Sequence, residues 1–391
     1  MKLRRGSLTA IVTTMLSAAL LAAGTAAGVA AADPAAAHPA GAHVADGTAR
    51  AAVPWARVGT GWVLTQYTSA PPDGGGAGPA ELYLISPGGT RYQLAHWRDW
   101  RSAPQLVAWS PDGRRALFQV FSGQGRVEQL TLATGRVSTF TLPGGATPIG
   151  YTTPRGLNIV ASRTAGSATT LARYSLSGRL ARSLGYSATG QLVYTPDGTA
   201  FVTATSHGVK LVSNGGALIR NLPLPRTSAN TCIPARWWNR GTVLVSCSPP
   251  RSAFPQLWLV PVSGALPTAL TPARRVNRGS SGDLGDLDAW QLPSGLYLQS
   301  AGPCGVLQIF RQAHNGSITR VTVPHTLGDN HVLTARGSRL LIQAPTSCTG
   351  SNSLLWFDPA TRAEQWLIRA PAKELGAAIA IPFYSRENGN I

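Results

Sequence analysis

The chain has 391 residues, of which 43% are hydrophobic and 13% are charged, so it is neither a disordered chain nor a protein embedded in a membrane along its whole length. Its 43 glycines and 29 prolines favour many turns and short strands over long helices. The 34 basic residues outnumber the 16 acidic ones and give a net charge of +18. Such a charge would attract an anionic polymer. A solvated basic surface without a binding role explains it equally, because the arginines are spread along the chain.

Residues 1–32 have the pattern of an export signal: a basic start, an apolar stretch and small residues at its end. An uncleaved anchor is the alternative, and Arg4-Arg5 leaves both the Sec and the twin-arginine routes open. Residues 33–53 are rich in Ala and Pro and predict a disordered linker, in which His38 and His43 are solvated. We expect a secreted, extracellular or cell-wall-associated protein with no membrane span after signal removal.

From residue 54 to residue 391 a hairpin pattern recurs. Apolar residues run into Ser110-Pro111-Asp112-Gly113 and out into a second apolar segment, and Thr195-Pro196-Asp197-Gly198 repeats the arrangement. Pro presets φ, Asp bonds to nearby backbone, and Gly accepts a positive φ, so each string predicts a β-turn. The turn glycines recur at intervals of about 42 residues, two of them longer. They are Gly61, Gly113, Gly156, Gly198, Gly241, Gly295 and Gly337.

Two further β segments follow each hairpin, which makes four strands per unit. Four strands at this period predict an all-β fold, a β-propeller with seven four-stranded blades. One more apolar segment, residues 375–383, follows the seventh unit. We expect this strand to join the first blade and help close the ring, which removes exposed sheet edges. The start of an incomplete eighth blade is the alternative.

The Trp109-Ser110-Pro111-Asp112-Gly113 run and its echo at Tyr194 to Gly198 resemble the repeat of the TolB-like (WD40-like) β-propeller family. The motif is close in two blades and decays in the others. The resemblance implies a propeller of a secreted bacterial, specifically actinobacterial, protein. It also implies either binding of protein partners at the cell envelope or a role as the propeller half of a peptidase, so it implies no chemistry by itself.

Four cysteines lie in the second half of the chain, at positions 232, 247, 304 and 348. An even count in an exported protein indicates disulfides. Cys232 and Cys247 flank one turn almost symmetrically, while Cys304 and Cys348 end the second strands of consecutive blades. We predict the pairs Cys232–Cys247 and Cys304–Cys348; a metal site is the alternative, without a C-x-x-C spacing to support it.

Candidate binding residues are aromatic and arginine side chains near turns. They could stack on sugars or grip a partner, with burial beneath loops as the alternative. The candidates are Trp97, Arg98, Trp100, Arg101, Trp237 and Trp238. An acidic cluster offers a metal site: Asp283, Asp286 and Asp288 could give carboxylates to Ca²⁺, the one cofactor considered, although an ordinary loop explains them too.

No G-x-S-x-G elbow is present, and the remaining histidines show no helical pairing. The first hypothesis is therefore a non-enzymatic, monomeric binding or scaffold module that engages a protein or an anionic cell-wall polymer through its rim loops, with no specific nucleic acid. A lyase or hydrolase with a site in the central channel is the second hypothesis. A glycan-binding, lectin-like propeller is the third.

Overall fold

A computed structural model describes the greater part of the chain. The described residues are 43–44, 52–70, 78–121, 125–166, 168–206, 208–222, 224, 231–248, 254–273, 283–302, 306–313, 315–345, 352–369 and 375–383. The predicted export signal, His38, Cys304 and Cys348 lie outside these residues. Among the residues described, no helix is both long enough and apolar enough to cross a membrane.

The described strands form seven antiparallel sheets arranged as a propeller, which confirms the predicted fold class. In chain order the strands are β1 (His43–Val44), β2 (Val63–Ala70), β3 (Ala80–Ile85), β4 (Arg91–Trp97), β5 (Gln105–Trp109), β6 (Arg115–Gln119), β7 (Arg126–Thr131), β8 (Val137–Thr141), β9 (Thr147–Tyr151), β10 (Asn158–Ala165), β11 (Ala168–Ser175), β12 (Leu180–Tyr186), β13 (Leu192–Tyr194), β14 (Ala200–Thr205), β15 (Gly208–Ser213), β16 (Leu218–Leu222), β17 (Thr231–Asn239), β18 (Thr242–Ser248), β19 (Gln256–Pro261), β20 (Thr268–Ala269), β21 (Asp286–Leu292), β22 (Gly295–Ala301), β23 (Leu307–Gln312), β24 (Ile318–Arg320), β25 (His331–Arg336), β26 (Arg339–Pro345), β27 (Asn352–Phe357), β28 (Glu364–Ile368) and β29 (Leu375–Pro382). Two short 3₁₀ segments, Trp55–Arg57 and Pro143–Gly145, are the described helices.

Blades two to seven each use four consecutive strands, beginning with β5 to β8 and ending with β25 to β28. Blade one combines β2, β3 and β4 with β29, and the outer edge of β4 pairs with β1. Within a blade, the first and third strands run opposite to the second and fourth. The segments that connect the strands therefore fall into two sets, which lie at opposite ends of the propeller. The turn end carries the turns between first and second and between third and fourth strands. The connection end carries the links between second and third strands and from one blade to the next.

The Ser-Pro-Asp-Gly turn shows how the sequence builds a blade. The carboxylate of Asp112 accepts hydrogen bonds from the Ser110 hydroxyl (2.5 Å) and from the Arg114 backbone N–H (3.1 Å). Gly113 takes a φ of +72°, and its N–H donates to the Ser110 carbonyl at 2.8 Å. These bonds occupy Asp112 within the turn, so its role here is to join β5 to β6.

Strand β29 closes the ring. It pairs antiparallel with β2 over eight residues, from Val63 opposite Pro382 to Ala70 opposite Leu375. Blade one thus takes its inner strand from the far end of the chain and its outer strands from the beginning. The hairpin expected around Gly61 is assembled from two distant segments, because the residues before Gly61 form a 3₁₀ segment and not a strand.

The core lies between neighbouring blades. At the closing interface, Val63 and Ile85 of blade one pack with Leu341 and Trp356 of blade seven, together with Ala380 of β29. Equivalent buried clusters join the other blades. Burial of these apolar faces stabilises the ring at about 25 cal/mol per Å² of surface removed from water.

The disulfide between Cys232 and Cys247 confirms the first predicted pairing. The two residues lie directly opposite each other in β17 and β18, and both are buried. Within the predicted linker, residues 43–44 pair with β4, so the edge of blade one orders at least this part of it.

Candidate functional site

The first group of predicted binding residues lies in the link from blade one to blade two, at the connection end. Trp97 is buried and meets Phe118 edge-to-face at 5.9 Å between ring centroids, so it belongs to the core. Arg98 and Arg101 are exposed, and Trp100 is 37% exposed. The Arg101 guanidinium lies 5.5 Å from the centroid of the Trp100 ring. Three of these four residues therefore offer a surface, and one does not.

Backbone hydrogen bonds hold this link in a fixed shape. The Trp100 N–H donates to the carbonyl of Gly78 at 2.7 Å, across to the preceding link of blade one. Asp99 accepts from the Arg101 N–H at 3.0 Å through its carboxylate and from the Ser102 hydroxyl at 2.9 Å through its carbonyl. The stacked Trp100 and Arg101 pair thus sits on an ordered turn.

Trp237 and Trp238 lie close to the turn end, on the opposite side of the molecule from Trp100. Both are half-buried, and as successive residues of β17 they face different ways. Trp237 packs into the core between blades four and five, and Trp238 into the core between blades five and six. The six predicted binding residues therefore do not form one surface.

The predicted calcium ligands have separate protein partners. Asp283 is buried and accepts from the Gly285 N–H at 2.9 Å. Asp286 is buried and accepts from the Ser300 hydroxyl at 2.8 Å, while its own N–H donates to the carbonyl of Pro255. These bonds hold residues 283–286, where the link between blades five and six enters β21. Among the residues described, no group of three or more His, Cys, Asp or Glu side chains is placed to hold a metal ion.

Asp288 lies on an inner strand and forms an ion pair with Arg236 of the neighbouring inner strand. Arg236 Nε lies 2.9 Å from Asp288 Oδ1, and Nη2 lies 2.9 Å from Oδ2. The guanidinium also stacks on Trp290, 4.1 Å from the ring centroid. Burial raises the pKa of Asp288, while the charge of Arg236 acts in the opposite direction. About a quarter of each side chain is exposed, so the ion pair keeps contact with water.

His331 begins the inner strand of blade seven and is exposed, and desolvation by the neighbouring protein atoms lowers the pKa of its imidazole. The carboxyl and imidazole groups on these two inner strands are thus the ion-paired Asp288, the buried Asp286 held by Ser300, and the imidazole of His331. Their arrangement can bind a polar ligand, but it does not assemble a nucleophile with a base.

Three further exposed apolar side chains lie in links at the connection end, and no sequence pattern predicted them. Phe121 in blade two is 69% exposed, Leu284 before blade six is 40% exposed, and Leu327 before blade seven is 73% exposed. Together with Trp100 and Arg101 they define the connection surface. A single apolar residue in a link has no periodicity to mark it, so only the fold identifies this surface.

No family model and no curated protein matches the chain. Solved structures match it. A puromycin-hydrolyzing peptidase from Mycobacterium tuberculosis is 17% identical, with a TM-score of 0.50, over 79% of this chain and 52% of that chain. The β-propeller domain of the Trilobed protease from Pyrococcus furiosus is 11% identical, with a TM-score of 0.50, over 78% of this chain and 92% of that one. TolB from Acinetobacter baumannii is 14% identical, with a TM-score of 0.44, over 81% and 66%.

The seven sheets, together with the two likenesses at a TM-score of 0.50, define the class: the chain is a seven-bladed β-propeller protein. It spans about half the length of the mycobacterial peptidase, and identities of 17% or less carry the fold alone. Propellers occur in enzymes and in proteins without catalysis, so function has to be argued from the surfaces of this chain.

Proposed function

We propose that this propeller is a binding module that docks a protein partner on its connection surface. The observation that carries the proposal is the exposure of four large apolar side chains, Trp100, Phe121, Leu284 and Leu327, in links at one end of the ring. Aromatic residues and arginine are enriched in protein interfaces, and a stacked tryptophan and arginine pair is a frequent centre of binding energy.

The side-chain types favour a protein over a glycan. Sugars stack on flat aromatic faces and need polar groups beside them, whereas Leu284 and Leu327 offer aliphatic surface that gains only from burial against another apolar group. The glycan-binding alternative predicted from the tryptophans therefore rests on Trp100 alone at this end.

Hydrogen bonds hold the described residues beside three of the four apolar side chains, Trp100, Leu284 and Leu327. Asp99 braces the turn below Trp100, and Asp283 braces the link that carries Leu284. In the third link, the carboxylate of Asp329, two residues after Leu327, accepts from the Leu307 N–H at 2.5 Å. Links fixed before binding lose less conformational entropy when a partner docks, which supports a specific interface.

Two observations support a site of action outside the cytoplasm. The disulfide between Cys232 and Cys247 is of a kind that persists in oxidising compartments, and residues 1–32 have the composition of an export signal. We therefore propose that the partner is met at the cell envelope.

The test is affinity capture from a cell-envelope extract with three forms of the protein. These are the natural chain, a variant with Trp100, Phe121, Leu284 and Leu327 all changed to Ser, and a control with Leu157, Leu218, Ile219 and Leu266 changed to Ser, all of them exposed outside the links of the connection end. We expect one protein to be retained at low and high salt by the natural chain and the control, and lost by the connection-surface variant. Equal capture by all three forms, or capture of protease-resistant carbohydrate, contradicts the proposal.

A further inference from the structure

The turn end presents exposed arginines in a regular arrangement on four consecutive blades. An outer row stands at the turn between the third and fourth strands: Arg362 in blade seven, Arg91 in blade one, Arg136 in blade two and Arg179 in blade three. An inner row stands at the turn between the first and second strands: Arg336 in blade seven, Arg114 in blade two and Arg155 in blade three. We call these seven residues the arginine arc.

The carboxylates of the same four blades do not neutralise the arc. Among the described residues of their turn end, three carboxylates occur, and each is held by a neighbour. Asp112 pairs with Arg115 at 2.9 Å. Asp358 accepts from the Ser338 hydroxyl at 2.6 Å, and Glu364 accepts from the indole N–H of Trp366 at 2.9 Å. None of the seven arc guanidinium groups is ion-paired among the residues described.

Other arginines at this end serve the structure, which separates them from the arc. Arg115 donates to the carbonyl of Arg155 in the next blade, and Arg173 donates to the carbonyl of Asn214 at 2.9 Å. Arg311 donates to the carbonyl of Ser294 at 2.6 Å. These side chains tie turns together, whereas the arc residues are exposed at the same turns. Among the arc residues, Arg336 also packs its guanidinium over Gly61 of blade one.

One arc position is held in a conformation that most residues avoid. Arg362 has a φ of +62°, in the left-handed region where glycine or asparagine is usual. Its N–H donates to the Asp358 carbonyl at 2.7 Å, which closes the turn that presents it. Residues held in such strained backbone conformations cluster at functional sites, so the presence of arginine at this position supports a functional role for its side chain.

We propose that the arginine arc binds a linear polymer that carries an anionic group on every repeat. Guanidinium groups pair with phosphate and with carboxylate, and a row with one arginine on each of four adjacent blades matches a repeating charge better than a single small anion. The arc and the connection surface lie at opposite ends of the propeller, so this site is separate from the one proposed for a protein partner. The molecule would then hold an anionic polymer at one end and a protein at the other.

The test compares two variants of equal net charge. The outer-row variant is R91Q/R136Q/R179Q/R362Q. The control is R126Q/R163Q/R320Q/R369Q, which removes four exposed arginines from strands near the connection end. Binding of the full chain to labelled long-chain polyphosphate and to labelled poly-L-glutamate is measured by fluorescence anisotropy across a range of NaCl concentrations. Thermal unfolding of each variant confirms that the fold is retained.

We expect the outer-row variant to bind at least about tenfold more weakly at low salt and to show a shallower dependence of log K on log [NaCl], since fewer counterions are released. The control should stay within about threefold of the natural chain, because its arginines lie away from the arc. Preference for one of the two probes identifies phosphate or carboxylate as the recognised group.

Three results overturn the proposal. The first is an equal loss of affinity in the two variants, which would indicate an effect of net charge alone. The second is the absence of binding to both polymers. The third is competition by inorganic phosphate that is as strong as competition by polyphosphate at equal phosphate concentration. None of these results bears on the connection surface, whose variant leaves all seven arc residues intact.

Discussion

At the scale of single residues, the pair between Arg236 and Asp288 shows how two neighbouring inner strands accommodate a partly buried charge. Burial raises the pKa of Asp288, and the guanidinium at 2.9 Å opposes that effect by stabilising the carboxylate. Arg236 gains a second contact with the face of Trp290, so one side chain joins the inner strands of blades five and six through both charge and stacking.

We predict that Arg236→Met lowers the free energy of unfolding by about 1–2 kcal/mol at pH 7, because it leaves a partly buried carboxylate without its partner. Without the arginine, the hydrogen bond from the Ala289 backbone N–H is the one remaining contact that opposes the effect of burial on Asp288, so the pKa of Asp288 in the folded state rises further above the unfolded value. The penalty is then largest above that folded pKa, where the carboxylate is charged, and shrinks as the pH falls through it.

Urea unfolding of the variant and the natural chain at pH 7 and at about pH 4.5 measures the change. The double variant R236M/D288L serves as the control, because it removes both charges and should recover much of the loss. A deficit that stays constant or grows as the pH falls would show that lost packing on Trp290, and not the unpaired carboxylate, dominates.

The sequence identified several of these residues without their roles. Asp283, Asp286 and Asp288 form one acidic cluster in the chain, but the fold gives each a different partner. Arg236 and Asp288 are more than fifty residues apart in the sequence, so no local sequence pattern predicts that they form an ion pair. In the same way, Trp97 and Trp100 look alike in the sequence, and only the path of the chain decides that one is core and the other surface.

At the scale of elements, the turns between first and second strands also fix the spacing between blades. Gly198 has a φ of +71°, and a Cβ at this position would lie 2.7 Å from the backbone nitrogen of Pro154 in the neighbouring blade. Gly316 has a φ of +80° and nothing within 4 Å of that position. Substitution of Gly316 therefore tests the cost of the left-handed backbone conformation alone, whereas substitution of Gly198 tests that cost together with a steric clash between blades.

We predict that Gly316→Ala costs about 1 kcal/mol, the price of a left-handed conformation, and that Gly198→Ala costs about 2–4 kcal/mol because blade contact is added to the same strain. Equilibrium unfolding in urea with a common m-value measures both variants. If the two variants lose the same free energy of unfolding, the turn of blade three can move away from the added Cβ without destabilising the protein.

The repeat was predictable at this scale because a turn needs particular residues. Asp112 and Gly113 mark their turn by chemistry that acts within four residues, and the same holds for Asp197 and Gly198. The strand count and the seven blades follow from the period of these turns. Blade one is the exception to this local pattern. The strand that pairs with the inner edge of β2 does not come just before Gly61 in the chain; it is β29, from the far end of the chain.

At the scale of the whole molecule, the fold sorts charge in a way that the composition does not show. A net charge of +18 is compatible with an even basic surface. The propeller instead sends every turn between third and fourth strands to one end, so arginines about 45 residues apart in the chain form one row. Four exposed apolar side chains of the links, Trp100, Phe121, Leu284 and Leu327, lie at the other end, and neither the row nor this set is visible until the strands are placed in the ring.

Closure itself gives the last prediction. Strand β29 is the inner strand of blade one, and its Ala378 and Ala380 are buried between that blade and its neighbours. A chain that ends after residue 374 leaves one edge of β2 without a partner strand along eight positions, although β2 still pairs with β3, and it exposes the apolar faces that β29 covered. We expect a loss of at least about 3–5 kcal/mol from the uncovered apolar surface, seen as a melting temperature lower by about 10 °C or as aggregation.

A chain that ends after Phe383 is the matched control, since it keeps β29 and the ring contact of Phe383 with Trp109 at 5.0 Å. The decisive measurement adds a synthetic peptide of residues 375–383 to the shorter chain. Because an extended peptide can complete a sheet through main-chain hydrogen bonds, the peptide should raise the melting temperature towards that of the control, and a peptide with Ala378 and Ala380 changed to Asp should not. A shorter chain that melts like the control without peptide would show that the ring is held by contacts between blades and not by its closing strand.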